Sequence, residues 1–276
     1  MNEKQLAAKK EFSNQLQKFA KTLPRMLQSD GAWKVRGFID IDCNAYTISS
    51  DTKIVSKVLE LCIFPLIMKF ATSIGYRIEL AKKQNYYPDL TFVNLTDPSI
   101  MFAVDLKTTY RLPDNPEVCN GFTLGSHGAY FTNRNSTKNI QHPYAEYSGH
   151  FCLGIIYTRH ESQLEETLMY HLDQLDQIPA VASDFLVFAQ EKWKIASDKG
   201  GSGNTANIGS IKNIPDIIEG RGVFTDYGED YFDGYWMNYG HMQIPDSNGN
   251  PRPLKSFKEY LEYRNLYEGN GEAEER

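Results

Sequence analysis

Two short apolar, β-rich runs, Leu90–Leu95 and Ile100–Leu106, flank Thr96-Asp97-Pro98-Ser99, whose Asp and Pro favour a turn. A chain with this pattern must bring the segments on either side of the turn back beside each other. Tyr87-Pro88-Asp89 precedes the first run, and Asp105-Leu106-Lys107 closes the second. With the turn centred between Asp97 and Pro98, residue 89 is expected across from residue 106 in an antiparallel pair. Asp105 and Lys107 are two residues apart and share one face of their strand. Two carboxylates and an ammonium therefore converge at one end of a hairpin.

Carboxylates held that close repel, and one pKa rises unless a cation lies between them. Mg²⁺ suits such a pair, because it takes oxygen ligands, needs few protein groups and bridges to a phosphate. Lys107 could orient or deprotonate an attacking water and offset charge on a phosphorane-like transition state. Glu60, between Leu59 and Leu61, is a third carboxylate in an apolar run, where it could complete a second metal site or align the first. A solvated strand end carrying an ion pair would account for Asp89, Asp105 and Lys107 without chemistry, and Glu60 reads equally as a partly exposed helix residue.

Elsewhere the pattern is mixed. Leu6, Phe12, Leu16, Phe19 and Leu23 recur among polar residues, which predicts an amphipathic helix over residues 3–27 that packs on the body or on a second subunit. Ser50-Asp51-Thr52 offers a cap to a helix running to Phe64, with Pro65 ending or kinking it. Gly154–Thr158 and Phe185–Ala189 suit a buried sheet, Glu161–Leu175 reads as helix, and residues 198–210 and 240–253 read as loops. The expectation is one α/β (α+β) domain over residues 1–267, a mixed central sheet flanked by helices. Residues 1–34 would form a helical extension, and 268–276 a disordered acidic tail.

Bulk chemistry narrows the class only a little. The net charge of −6 argues against nucleic acid at first sight. Residues 268–276 alone supply four Glu against one Arg, however, and a local basic groove binds phosphate whatever the total. Cys43, Cys62, Cys119 and Cys152 are scattered without a C-x-x-C pair, so neither a disulfide framework nor a zinc knuckle is indicated. Leu59–Phe70 holds Glu60, Pro65 and Lys69, too short and charged a stretch to cross a bilayer, and the N-terminus lacks an apolar signal core. A soluble, cytoplasmic protein without membrane attachment is expected.

Several segments resemble one family. Ser50-Asp51-Thr52-Lys53, Gln84-Asn85-Tyr86-Tyr87-Pro88-Asp89, Asp105-Leu106-Lys107-Thr108-Thr109-Tyr110, Asn135-Ser136-Thr137-Lys138-Asn139-Ile140 and residues 201–211 (GSGNTANIGSI) occur in the order and at close to the spacing of the EcoRV-type type II restriction endonucleases. The resemblance runs from about residue 35 to about residue 240, around a P-D…D-x-K core. It implies the PD-(D/E)xK nuclease fold. Asp89 and Asp105 would ligate Mg²⁺, Lys107 would be the catalytic lysine and Glu60 the accessory carboxylate. Mn²⁺ would substitute, and Ca²⁺ would support binding without cleavage. Gln84 and Asn85 would approach the minor groove, while Thr52, Lys53, Thr108, Thr109 and Lys138 would lie near the DNA backbone or the subunit contact.

The same resemblance makes Gly201, Ser202, Gly203, Asn204, Thr205 and Asn207 a recognition loop in the major groove. The chemistry agrees: Asn204 can pair with an adenine edge, the Thr205 methyl can touch a thymine methyl, and glycines let the backbone approach. Lys192, Lys194, Lys199 and Lys212 flank this loop and could hold phosphates. Composition alone would read it as a mobile linker, and no G-K-[ST] follows that would make a Walker A loop. The implied activity is blunt cleavage of double-stranded DNA at the centre of GATATC by a homodimer, with a cognate adenine methyltransferase protecting the host. Ala206 replaces the family's Thr, and Met237, His241 and a Pro-rich loop stand where the family carries arginines. A sequence-tolerant repair or recombination nuclease of the same fold, and a non-catalytic DNA-binding protein, are the alternatives.

Overall fold

The computed structural model describes residues 1–83, 85–161, 168–203, 206–246 and 248–271. Its frame is a mixed sheet formed by β1 (Tyr76–Leu80), β2 (Leu90–Asn94), β3 (Met101–Leu112), β5 (Gly149–Arg159) and β6 (Ala182–Glu191). The short strands Gln28–Ser29 and Ala32–Trp33 extend it beyond β6, and Asn115–Cys119 pairs with β3 off the main path. The order is Gln28–Ser29, Ala32–Trp33, β6, β5, β3, β2, β1, with β3 and β5 parallel and the other pairings antiparallel. The expected mixed α/β sheet flanked by helices is present, with the runs at 154–158 and 185–189 inside β5 and β6.

Alternation along β3 separates two cores. Phe102 and Val104 face one side, packed with α1 (Glu3–Thr22) and α2 (Thr52–Ser73). Met101 and Ala103 face the other, against Tyr87, Tyr130, Tyr144 and Cys152. By the same alternation Asp105 and Lys107 belong to the second, aromatic side.

The N-terminal helix is part of the first core. Phe12, Leu16 and Ala20 form its buried stripe, with Leu23 just beyond its end, and Phe12 stacks on Phe102 at 4.3 Å between centroids. Lys9, on the same helix, reaches Glu191 at 2.7 Å and Glu229 at 2.6 Å. Of the two roles expected for this helix, packing on the body is the one its side chains perform.

Five local expectations need correction. Pro65 neither ends α2 nor stops its packing, because the helix continues to Ser73. The carbonyl that Pro65 leaves without a donor belongs to Leu61, which is exposed and open to water, while Ile63, Ile67 and Phe70 keep the opposite face anchored. The 89–106 register is off by one: Leu90 pairs with Val104 and Phe92 with Phe102, so the hairpin is centred on Asp97 and residue 89 falls opposite Asp105. Side chains in the connection decide this, since Asn94 Oδ1 accepts from the Thr96 and Asp97 amides at 3.0 Å and the Asn94 amide donates to Ile100 O at 3.0 Å.

The helix expected over Glu161–Leu175 is not one where it is described. Met169–His171 forms a strand paired with Asn44–Thr47, followed by a 3₁₀ turn over Leu172–Gln177. Leu168, Leu172 and Leu175 repeat at helical spacing, but tertiary strand pairing overrides it. Residues 162–167 lie outside the described residues. The 240–253 loop contains a small hairpin, Gln243–Pro245 against Pro251–Pro253, closed by Asp246 accepting from the Asn248 and Asn250 amides. The expected tail begins within the helix Phe257–Gly271, and residues 272–276 lie outside the described residues.

Candidate active site

Asp89 stands at the entry to β2, and Asp105 and Lys107 lie in β3. The observed register puts Asp89 and Asp105 on one face, which the expected register would not have done, because a one-residue slip reverses facing. Each carboxylate also fixes the other's backbone. The Asp89 amide donates to Asp105 Oδ1 at 3.3 Å, and the Leu106 amide donates to Asp89 Oδ2 at 2.8 Å. Lys107 Nζ lies 3.3 Å from Asp105 Oδ2. The three residues predicted to act together are brought together.

Their electrostatics differ. Burial and then the charge of Asp105 push the Asp89 carboxyl up to about 6. Asp105, unlike the partly open Asp89, is buried outright, yet the charges of Lys107 and Lys192 outweigh that penalty and hold its carboxyl low. Burial works against the Lys107 ammonium, but Asp105 and Asp89 more than compensate and raise its pKa. Two adjacent carboxylates, one driven toward the neutral form by the other, make a donor set that a divalent cation would relieve.

This destabilised charge gives a prediction for the metal-free protein. A carboxyl whose folded pKa is raised contributes stability that is present below its unfolded pKa near 3.8 and lost as pH rises through about 6. At neutral pH with a chelator, Asp89→Asn should therefore raise stability, its Oδ1 still available to the Leu106 amide. Asp89 is exposed on one side, so water screens the effect and about 1 kcal/mol is expected. Thermal melts with and without EDTA across pH measure it, with the gain disappearing below about pH 4.

An aromatic layer supports the carboxylates. Tyr87 Oη bonds His150 Nδ1 at 2.8 Å, its ring stacks on Tyr130 at 5.3 Å, and its main chain bonds Asn139 and Gln141. Burial holds the His150 imidazole well below its usual range, so it stays neutral as a partner for Tyr87. Lys192 lies over the Tyr87 ring at 4.2 Å and is only 3% exposed. It is therefore not the solvent-facing loop flank expected from the sequence. The signal that could have found it is its place at the end of the apolar run Phe185–Ala189, next to Trp193.

The remaining candidates fall into groups. Glu60 pairs with Lys57 at 2.8 Å on the exposed face of α2; its charge is felt at Asp89, but the described residues contain no cluster of three or more metal-ligating side chains. Thr52, Lys53, Thr108 and Thr109 line one hollow of about 240 Å³, so the structure does bring these four together. The Thr109 hydroxyl donates inside it to Gly121 O at 3.0 Å. Asn85 and Lys138 are exposed on neighbouring loops, joined by the Tyr87–Ile140 bridge, and Gln84 lies outside the described residues.

The loop predicted to read bases connects β7 (Ala196–Gly200) to β8 (Asn207–Ser210), and β8 pairs with β4 (Thr123–Ser126). Gly201 is required there, since a Cβ would stand 2.7 Å from Thr123 Cγ2, and Gly203 has φ +91°. Ser202 is exposed, and the Asn207 amide Nδ2 donates to Ser202 O at 2.7 Å, strapping the loop. Asn204 and Thr205 lie outside the described residues. Of the flanking lysines, Lys199 is open to solvent, Lys212 is exposed, and Lys194 pairs with Glu191 at 2.8 Å. A second hollow of about 920 Å³, lined by Gln17, Arg111, Asp184 and Glu219 among others, includes none of the catalytic candidates.

The four cysteines are unpaired, and among the described residues no helix is long and apolar enough to cross a membrane. Residues 29–265 match the family described as restriction endonuclease EcoRV. The chain is 40% identical over 208 residues to the type II restriction enzyme EcoRV of Escherichia coli, which covers 75% of this chain and 82% of that protein.

Proposed function

The chain belongs to the EcoRV family of type II restriction endonucleases, and on that footing we propose that it cuts both strands of double-stranded DNA at GATATC, bluntly at the centre, as a Mg²⁺-dependent homodimer. The observation that carries the reading is the reciprocal Asp89–Asp105 pair with Lys107 beside it. Asp89 and Asp105 would hold the cation, with Mn²⁺ able to substitute and Ca²⁺ supporting binding only, and Glu60 would align the site from α2. When bound, the cation supplies positive charge against the charge developing on the scissile phosphate.

Lys107 orients the attacking water and offsets charge on the pentacovalent phosphorus. Water adds to phosphorus, the bond to the 3′ oxygen breaks, and that oxygen takes up a proton. The products are a 5′-phosphate and a 3′-hydroxyl. The hollow of Thr52, Lys53, Thr108 and Thr109, together with Lys138, would track the DNA backbone, and Gln84 and Asn85 the minor groove.

Gly201, Ser202, Gly203, Asn204, Thr205 and Asn207 would enter the major groove. Asn204→Ala should lose about 1–3 kcal/mol of discrimination at one base pair in each half-site, measured as relative cleavage of singly altered sites. An equal loss on all sequences would make Asn204 a backbone or structural residue instead.

A two-fold dimer follows from a palindromic target. One face of the small sheet carries the exposed Phe38, Tyr46 and Met169, which are paired across its strands, and the 96% exposed Ile41 follows the first strand; this apolar exposure supports self-association. A cognate adenine methyltransferase would protect the host. Digestion of a plasmid bearing one GATATC site with Mg²⁺, followed by sequencing of the ends, tests the whole reading. Blunt ends at the centre are expected. Cleavage elsewhere would overturn the target, and binding without cleavage would overturn the activity.

A further inference from the structure

The 201–207 loop leaves the body from β7 and returns through β8, and the two ends are held by different means. On the return side β8 pairs with β4, and the His127 amide donates to Ala206 O at 2.8 Å. On the outgoing side β7 pairs with β8 along one edge, through a register that shifts between Ala196 and Gly200. Along the other edge, three alternate carbonyls are taken by the C-terminal part of the chain. Lys194 O accepts from the Gly222 amide at 2.7 Å, and Ala196 O accepts from the Val223 amide at 3.3 Å. The third, Asp198 O, accepts from a side chain instead: the Tyr235 hydroxyl, at 2.7 Å. The Asp198 carboxylate is held as well, its Oδ2 accepting from the Phe257 amide at 3.3 Å. Asp198 is thus fixed twice, three residues before Gly201.

Tyr235 is built to hold a position. It is 0% exposed, with its ring 5.2 Å from Trp236 and 5.6 Å from both Phe224 and Phe257. Its helix, Glu229–Asn238, is tied to the body at two points, Glu229 to Lys9 at 2.6 Å and Asp233 to Arg134 at 2.8 Å. A phenylalanine would satisfy the packing equally well. What the hydroxyl adds is the bond to Asp198, where it stands in for a strand partner at the last outward carbonyl before the loop.

We infer that Tyr235 is a positioning residue for base recognition, whose buried hydroxyl fixes the outgoing end of the 201–207 loop where its residues meet the base edges. The inference deepens the reading of 201–207 as the recognition loop and rests on it. A loop fixed at both ends before DNA arrives loses less conformational freedom on entering the groove, and its donors and acceptors stay within hydrogen-bonding reach of the bases. Tyr235 is buried and touches no base, so its effect is spread over every contact the loop makes.

The test is single-turnover cleavage by the full-length protein with Mg²⁺, on duplexes carrying the enzyme's cleavage site and on the set of singly altered sites. Tyr235→Phe should slow cleavage of the unaltered site about fivefold or more and leave the altered sites near the parent's rates, so that discrimination falls at every base pair the loop reads. Asn204→Ala, by contrast, should lose discrimination at one base pair in each half-site. A merely structural role for the hydroxyl would slow all sites alike, and that result would overturn the inference; so would an unchanged ratio. Should Tyr235→Phe fail to fold, Asp198→Ala, at a partly exposed position, removes the tie to Phe257 and should lower discrimination in the same pattern; parent-like discrimination by that variant would then overturn the inference. Asn204→Ala also separates the two readings. If it loses discrimination while Tyr235→Phe keeps the parent's ratio, the loop reads bases and the positioning role alone is wrong. If Asn204→Ala keeps the parent's discrimination at every base pair, the loop reading fails and the inference falls with it.

Discussion

Asp105→Ala is expected to lower the cleavage rate by at least about 10³-fold, equivalent to about 4 kcal/mol of transition-state stabilisation, while binding to target DNA in Ca²⁺ persists. Asp105 is placed to matter more than any neighbour. It is 4% exposed, it accepts from the Asp89 amide, and it faces Lys107. Removing it takes away one proposed metal ligand and the partner that holds the lysine, so single-turnover cleavage should fall much more than binding. Asp105→Asn, which keeps the hydrogen-bonding shape and removes the charge, should fall nearly as far. Gel-shift measurements in Ca²⁺ beside rapid-quench cleavage in Mg²⁺ separate the two effects. Unchanged cleavage by Asp105→Ala would remove the carboxylate pair from the chemistry altogether.

Phe12→Ala should destabilise the protein by about 3–5 kcal/mol, read from the urea midpoint of equilibrium unfolding. The ring is 1% exposed and meets four other rings: Phe102 at 4.3 Å, Phe92 at 5.1 Å, Phe151 at 5.2 Å and Tyr76 at 5.5 Å. Truncation leaves a cavity that this many rigid rings on a sheet cannot easily collapse into. The size of the loss also distinguishes roles for the N-terminal helix. A helix that served only to join subunits would leave the urea midpoint nearly unchanged and weaken dimerisation instead. Lys9, on the same helix and tied to Glu191 and Glu229, makes a second anchor, and Lys9→Met tests whether the buried Glu191 and the half-buried Glu229 tolerate losing their cation.

Much of the site was legible in the residues because the chemistry is local. The apolar, β-rich runs Leu90–Leu95 and Ile100–Leu106, the turn between them and the carboxylates at their ends define a hairpin and what it carries. The register was the weak point. Its centre shifts from between Asp97 and Pro98 to Asp97 because the Asn94 side chain closes the turn, and side-chain capture within a six-residue connection leaves no periodic trace. The hollow of Thr52, Lys53, Thr108 and Thr109 was reached through family resemblance, since these residues are distant in sequence and join only when α2 crosses β3.

By itself, then, the sequence determined the longer helices and the central strands, the chemical identity of Asp89, Asp105 and Lys107, and the small-residue character of the 201–207 loop. Each follows from short-range periodicity, turn chemistry or residue type. Only the tertiary structure decided that Phe12 belongs to the core, that Met169–His171 is a strand, and that Lys192 is buried over Tyr87 instead of facing solvent. Those outcomes depend on the order of strands in the sheet and on which face each element covers. Such pairings join residues far apart in the chain, and no local pattern records which distant partner a side chain will meet.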